Sequence, residues 1–85
     1  MRLVLTRSGG FAGLTVRRSI ETSKLPRTRA RLIEALAVAA QKQRPPRDPS
    51  PDAFQYEIEI DGRRYDVSDG PGAWRSLIDG LMAAE

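Results

Sequence analysis

Phe54-Gln55-Tyr56-Glu57-Ile58-Glu59-Ile60-Asp61-Gly62-Arg63-Arg64-Tyr65-Asp66-Val67-Ser68 is the stretch that decides the fold. Phe54, Tyr56, Ile58 and Ile60 alternate with Gln55, Glu57, Glu59 and Asp61, the period-two pattern of a strand with one apolar face. Asp61-Gly62 then supplies a two-residue type I′ turn, whose central residues both take positive φ. A hairpin closed there sets Ile60 against Arg63, Ile58 against Tyr65 and Tyr56 against Val67 on one face. On the other face it sets Glu59 against Arg64, an opposite-charge pair worth about 0.2–1 kcal/mol, and Glu57 against Asp66. One face is expected to be core and the other solvent.

Downstream, Ser68-Asp69-Gly70-Pro71-Gly72 breaks the strand and offers cap residues. Trp74, Leu77, Ile78, Leu81 and Met82 then fall at helical spacing, so a short amphipathic helix is expected, with Trp74 as a core anchor. Upstream, residues 43–52 contain four of the six prolines and no apolar anchor. This is an extended connector, because proline ends helices and cannot pair in a central strand. Before it, Thr28 to Gln41 is rich in good helix formers and places Leu32, Ile33, Leu36, Ala39 and Ala40 on one stripe. Pro26 suits the first turn of that helix, and Leu25 just ahead of it reads as a hydrophobic staple.

The chain opens with two more strand-like runs, Arg2 to Thr6 and Leu14 to Ile20, joined by Arg7-Ser8-Gly9-Gly10-Phe11-Ala12-Gly13. The element order is thus ββαββα. It predicts an α+β fold: a four-stranded, mainly antiparallel sheet with two helices packed on one face. The halves share an order of elements but no residue-level repeat, and 85 residues make a single domain, 1–85.

Composition narrows the chemistry. Cysteine and histidine are both absent, which removes thiolate and imidazole metal ligands, disulfides, and the usual nucleophile–base pairs. An enzyme is not expected. Glu57, Glu59, Asp61 and Asp66 are the only acidic group worth weighing, and on an open sheet face they read as a solvated patch. No metal and no cofactor site is expected. The N-terminal apolar run is too short for a signal peptide and no stretch reaches bilayer length, so a soluble, cytoplasmic protein without membrane contact is expected.

Net charge is +3, and twelve of the fourteen basic residues are arginines. Arg17, Arg18, Arg27, Arg29 and Arg31 could contact phosphates, which makes an arginine-rich nucleic-acid-binding or protein-interaction module the alternative reading. Acidic residues are interspersed and clustering is weak, so nucleic acid is disfavoured as a partner.

Gly9-Gly10-Phe11-Ala12-Gly13 is the remaining feature. It lacks the lysine and spacing of a phosphate-binding loop and leads into a strand, not a helix. Two readings of it stand level on local physics: a chain reversal with Phe11 folded onto the core, or a loop that presents Phe11 to a partner.

The run Arg2 to Leu14, centred on Arg7-Ser8-Gly9-Gly10-Phe11-Ala12-Gly13, resembles the start of the emfourin-like family, small bacterial inhibitors of protealysin and related thermolysin-like zinc metallopeptidases. The resemblance continues in Leu25-Pro26, the proline-rich connector, Phe54 to Ile58, the Asp61-Gly62 turn and the leucine-rich C-terminal helix. It departs in the arginine-rich first helix and the Gly70-Pro71-Gly72 lead into the second. The resemblance implies a thermolysin-like metallopeptidase as partner, with the zinc on the enzyme. It implies reversible occlusion of the active-site cleft by Ser8, Gly9, Gly10, Phe11, Ala12 and Gly13, with Leu25 as a second candidate anchor. A hairpin would send those two loops to opposite ends of the sheet. The free protein is expected to be a monomer.

Overall fold

The computed structural model describes residues 1–9, 15–47 and 54–83. The elements run β1 (Arg2–Gly9), β2 (Val16–Glu21), a 3-10 turn (Thr22–Lys24), α1 (Arg27–Gln41), β3 (Phe54–Ile60), β4 (Arg63–Ser68) and α2 (Ala73–Ala83). All four strands form one antiparallel sheet in the order β2-β1-β3-β4, so the two hairpins meet through their first strands. This is the ββαββα, α+β architecture expected from the pattern of elements.

The β3–β4 register is the one the alternation dictates: Ile60 faces Arg63, Ile58 faces Tyr65 and Tyr56 faces Val67. Asp61 and Gly62 have φ of 49° and 86°, as a type I′ turn requires. Asp61 also ties down the start of β1. Its N–H donates to the Arg2 carbonyl at 2.9 Å, and its Oδ1 accepts from the Arg2 N–H at 2.8 Å.

Leu3 and Leu5 of β1, Ile20 of β2, Tyr56, Ile58 and Ile60 of β3 and Val67 of β4 line the helix-covered face. Against them pack Ile33, Ala37 and Ala40 of α1 and Trp74, Leu77, Ile78 and Leu81 of α2. Trp74 is fully enclosed, its ring 4.9 Å from that of Tyr65, and its indole N–H donates to the Gln43 carbonyl at 2.9 Å. A buried indole needs such an acceptor. The two helices touch where Gly80 faces α1. A Cβ there would lie 2.9 Å from Leu36 Cδ1 and 3.3 Å from Ile33 Cδ1, so the missing side chain sets the interhelical approach.

Four expectations are corrected. First, α1 is rotated from its expected stripe: Leu32 is 57% exposed and Ala39 is exposed, while Ala37 is fully buried. Ile33 and Leu36 meet α2 at Gly80, while Ala37 and Ala40 are buried in the core. Second, α1 begins at Arg27, with Pro26 as its N-cap rather than inside the first turn. Third, Arg64 faces Glu59 in register, yet its Nε reaches Glu57 Oε1 at 3.4 Å and Asp66 Oδ1 at 3.6 Å. The guanidinium bridges the two carboxylates that the register sets opposite each other, which relieves their repulsion more than the expected cross-strand pair would. Fourth, the described part of the connector does have anchors. Ser68 N–H donates to the Pro46 carbonyl at 2.8 Å, covering part of the β4 edge, and the Gln43 carbonyl holds Trp74. Residues 48–52 of the connector lie outside the described residues.

The face away from the helices is not purely solvent either. Val4, central in β1, is only 6% exposed there, shielded among Thr6, Arg17, Glu57 and Glu59. Long charged side chains cover an apolar residue with their stems.

Candidate functional site

Strand pairing fixes what lies at each end of the sheet. Among the described residues, β1 pairs with β2 as far as Arg7–Val16 and with β3 through Ser8–Gln55 and Gly9–Phe54. The end of β1 is therefore held by its central neighbour β3. Ser8 and Gly9 are exposed at this end, and Gly9 has φ of 88°, a left-handed conformation that a side chain would strain. Gly10, Phe11, Ala12 and Gly13 lie outside the described residues.

Leu25 sits at the other end. It follows the strand in which Glu21 pairs with Arg2, beside the Asp61-Gly62 turn. There it is half-buried and packs against the core, the behaviour of a structural apolar residue. Nearby, the buried Thr22 donates its hydroxyl to Glu34 Oε2 at 2.6 Å and its N–H to the Met1 carbonyl at 2.9 Å. This short polar network joins β2 to α1. The structure thus separates the two candidate contact regions by the length of β1.

At the Gly9 end, a cleft of about 380 Å³ opens on the helix-covered face, lined by Arg7, Phe54, Tyr56, Asp69, Gly70, Pro71 and Arg75. The alternation explains its composition: Arg7 continues the row of Leu3 and Leu5 to the N-terminal end of α2, where Arg75 and not an apolar side chain faces it. Its guanidinium carbon lies 4.5 Å from the centroid of the Phe54 ring, a cation–π contact. Arg7 Nε is buried without a hydrogen-bond partner. Across the cleft, Arg75 is committed to two carboxylates, Asp69 at 3.0 Å and Asp79 at 3.1 Å. Burial, reinforced by the charge of Asp69 and opposed by Arg75, holds the Tyr56 hydroxyl above the usual phenol pKa. It stays a neutral hydroxyl at physiological pH.

Sequence reasoning passed over Arg7, Tyr56 and Arg75 as parts of a site. The available signal was that Arg7 occupies an inward position of its strand, on the same face as Tyr56 in its neighbour. As for the arginines weighed as phosphate contacts, strand alternation sends Arg17 and Arg18 to opposite faces, and Arg29 Nη1 donates to the Ala83 carbonyl at 3.4 Å. Among the described residues, no group of three Cys, His, Asp or Glu side chains could hold a metal ion, and no helix is long and apolar enough to cross a membrane.

The fold is a small α+β domain, a four-stranded antiparallel sheet backed on one face by two helices. The family model for emfourin matches residues 5–82, and the chain belongs to that family, the protealysin inhibitors. Membership implies an inhibitor of metallopeptidases. No curated protein and no solved structure gives a significant match to the chain.

Proposed function

We propose that this protein inhibits a thermolysin-like zinc metallopeptidase by laying Ser8 to Gly13 in the active-site cleft, with Phe11 in the apolar primed-side pocket. The observation that carries this reading is the hold of β3 on the end of β1. Ser8 and Gly9 pair with Gln55 and Phe54, so the chain that leads into the glycine-rich stretch is a rigid base. A rigid base lowers the ordering cost of binding. The zinc belongs to the enzyme. Leu25, at the far end of β1, is left outside a contact made by the Gly9 end.

The test is the inhibition constant of Phe11→Ala against protealysin and thermolysin, with a serine peptidase as control. Burial of a phenylalanine side chain contributes about 1.5–3 kcal/mol. The expected result is a constant raised roughly 10- to 100-fold, with the melting temperature unchanged. Unchanged potency in a folded variant would sink the Phe11 assignment.

A further inference from the structure

The cleft behind the Gly9 end contains an arginine that has no carboxylate partner among the described residues. Among the described residues Arg75 has two carboxylate partners and Arg7 has none, and Arg7 Nε is both buried and unpartnered. A buried donor without an acceptor is costly in the free protein, so a group that supplies the acceptor recovers that cost on binding. The guanidinium carbon lies 4.5 Å from the Phe54 ring centroid, and Arg7 lines the cleft, where its other N–H groups are offered to a ligand. A planar fork of this kind suits a carboxylate, which accepts two parallel hydrogen bonds. The neutral Tyr56 hydroxyl lines the same cleft, and Asp69, the one acidic side chain there, is already matched by Arg75.

We propose that this cleft receives an acidic side chain of the bound peptidase, gripped bidentately by Arg7. The inference rests on the metallopeptidase reading and deepens it. Occlusion of the cleft would be accompanied by one ion pair beside it, giving the complex a salt-sensitive contact separate from the apolar anchor.

The experiment measures the inhibition constant of wild type, Arg7→Met and Arg7→Lys against protealysin, each at low and high salt, with melting curves as a check of folding. Arg7→Met keeps an apolar chain over Phe54 and should raise the constant about 10- to 100-fold at low salt, the range for hydrogen bonds to charged groups. It should also flatten the salt dependence. Arg7→Lys keeps the charge but not the fork, and should lose at least about fivefold. If Arg7→Met fails to fold, Arg7→Lys decides alone, and wild-type potency there overturns the bidentate grip. A raised constant with wild-type salt dependence would mean that Arg7 only supports the fold, which also overturns the inference. Loss in Phe11→Ala with none in Arg7→Met sinks this inference alone. Loss in Arg7→Met with none in Phe11→Ala keeps the ion pair and sinks the loop anchor. A wild-type protein that inhibits neither enzyme takes down both.

Discussion

The two ββα halves of the molecule share an order of elements and differ in nearly everything that stabilises them. In the second half the hairpin closes in two residues, and α2 buries Trp74, Leu77, Ile78 and Leu81. In the first half, residues 10–15 separate the strands, and α1 buries only Ile33 and two alanines while Leu32 and Val38 face outward. The second half thus supplies most of the large buried helical side chains, and the first half supplies the long connection and the unpartnered arginine. The difference teaches that the large helical anchors are concentrated in the second half; on the proposed reading the first half adds the glycine-rich stretch and Arg7, while Phe54, Tyr56 and Arg75 of the second half complete the cleft.

The largest break in that comparison is expected from Trp74→Ala. The indole is 2% exposed, and its removal costs about 3–5 kcal/mol by loss of burial and packing. For a domain of this size that is a large share of the total stability. Leu32→Ala in the first half removes a side chain that is 57% exposed and should shift stability by no more than about 0.5 kcal/mol. Urea unfolding of both variants measures the contrast. Comparable losses would show that the first half bears as much of the stability as the second.

Gly62→Ala comes next. Its φ of 86° belongs to the left-handed region, and nothing lies within 4 Å of an added Cβ. The cost is therefore the backbone's alone, about 1–2 kcal/mol. A thermal melt reads it, and inhibition at a temperature where the variant is folded should be unchanged. A fall in inhibitory potency there would mean that the far end of the sheet takes part in recognition, contrary to the proposed reading.

The same contrast governs what was legible in the sequence. The β3–β4 register could be written down from alternation plus Asp61-Gly62, because local pattern and turn chemistry agree and nothing distant competes. The buried face of α1 could not. Leu32 looks like core on a helical wheel, but the wheel does not contain Gly80, whose missing side chain lets α2 approach α1 at Ile33 and Leu36 and leaves Leu32 outside. The Arg64 bridge was hidden for a similar reason. Facing positions follow from register, whereas a long side chain chooses among diagonal neighbours according to charge. At the candidate site, the glycines and Phe11 stood out because strand residues do not explain them. Arg7 did not stand out, since an arginine in a strand ordinarily faces solvent. Its inward position is a polar cleft because α2 contributes Arg75 there and not an apolar side chain.

The smallest expected effect bears on how poorly the first half is optimised. The first turn of α1 carries Arg27 and Arg29 and no acidic residue, and Pro26 offers no side-chain cap. Cations at that end oppose the partial positive charge of the helix N-terminus. Arg27 is exposed and makes no ion pair among the described residues, so Arg27→Glu should stabilise the fold by about 0.3–1 kcal/mol at low ionic strength. The gain should shrink as salt screens it. The same change at Arg75 in the second half should have the opposite sign, since it would set a third carboxylate beside Asp69 and Asp79. Denaturation midpoints of the two variants at low and high salt test the pair. Opposite signs would show that the charges of α2 are placed to stabilise and those of α1 are not. A loss at Arg27 would mean instead that this arginine has a structural partner, and the contrast between the halves would narrow.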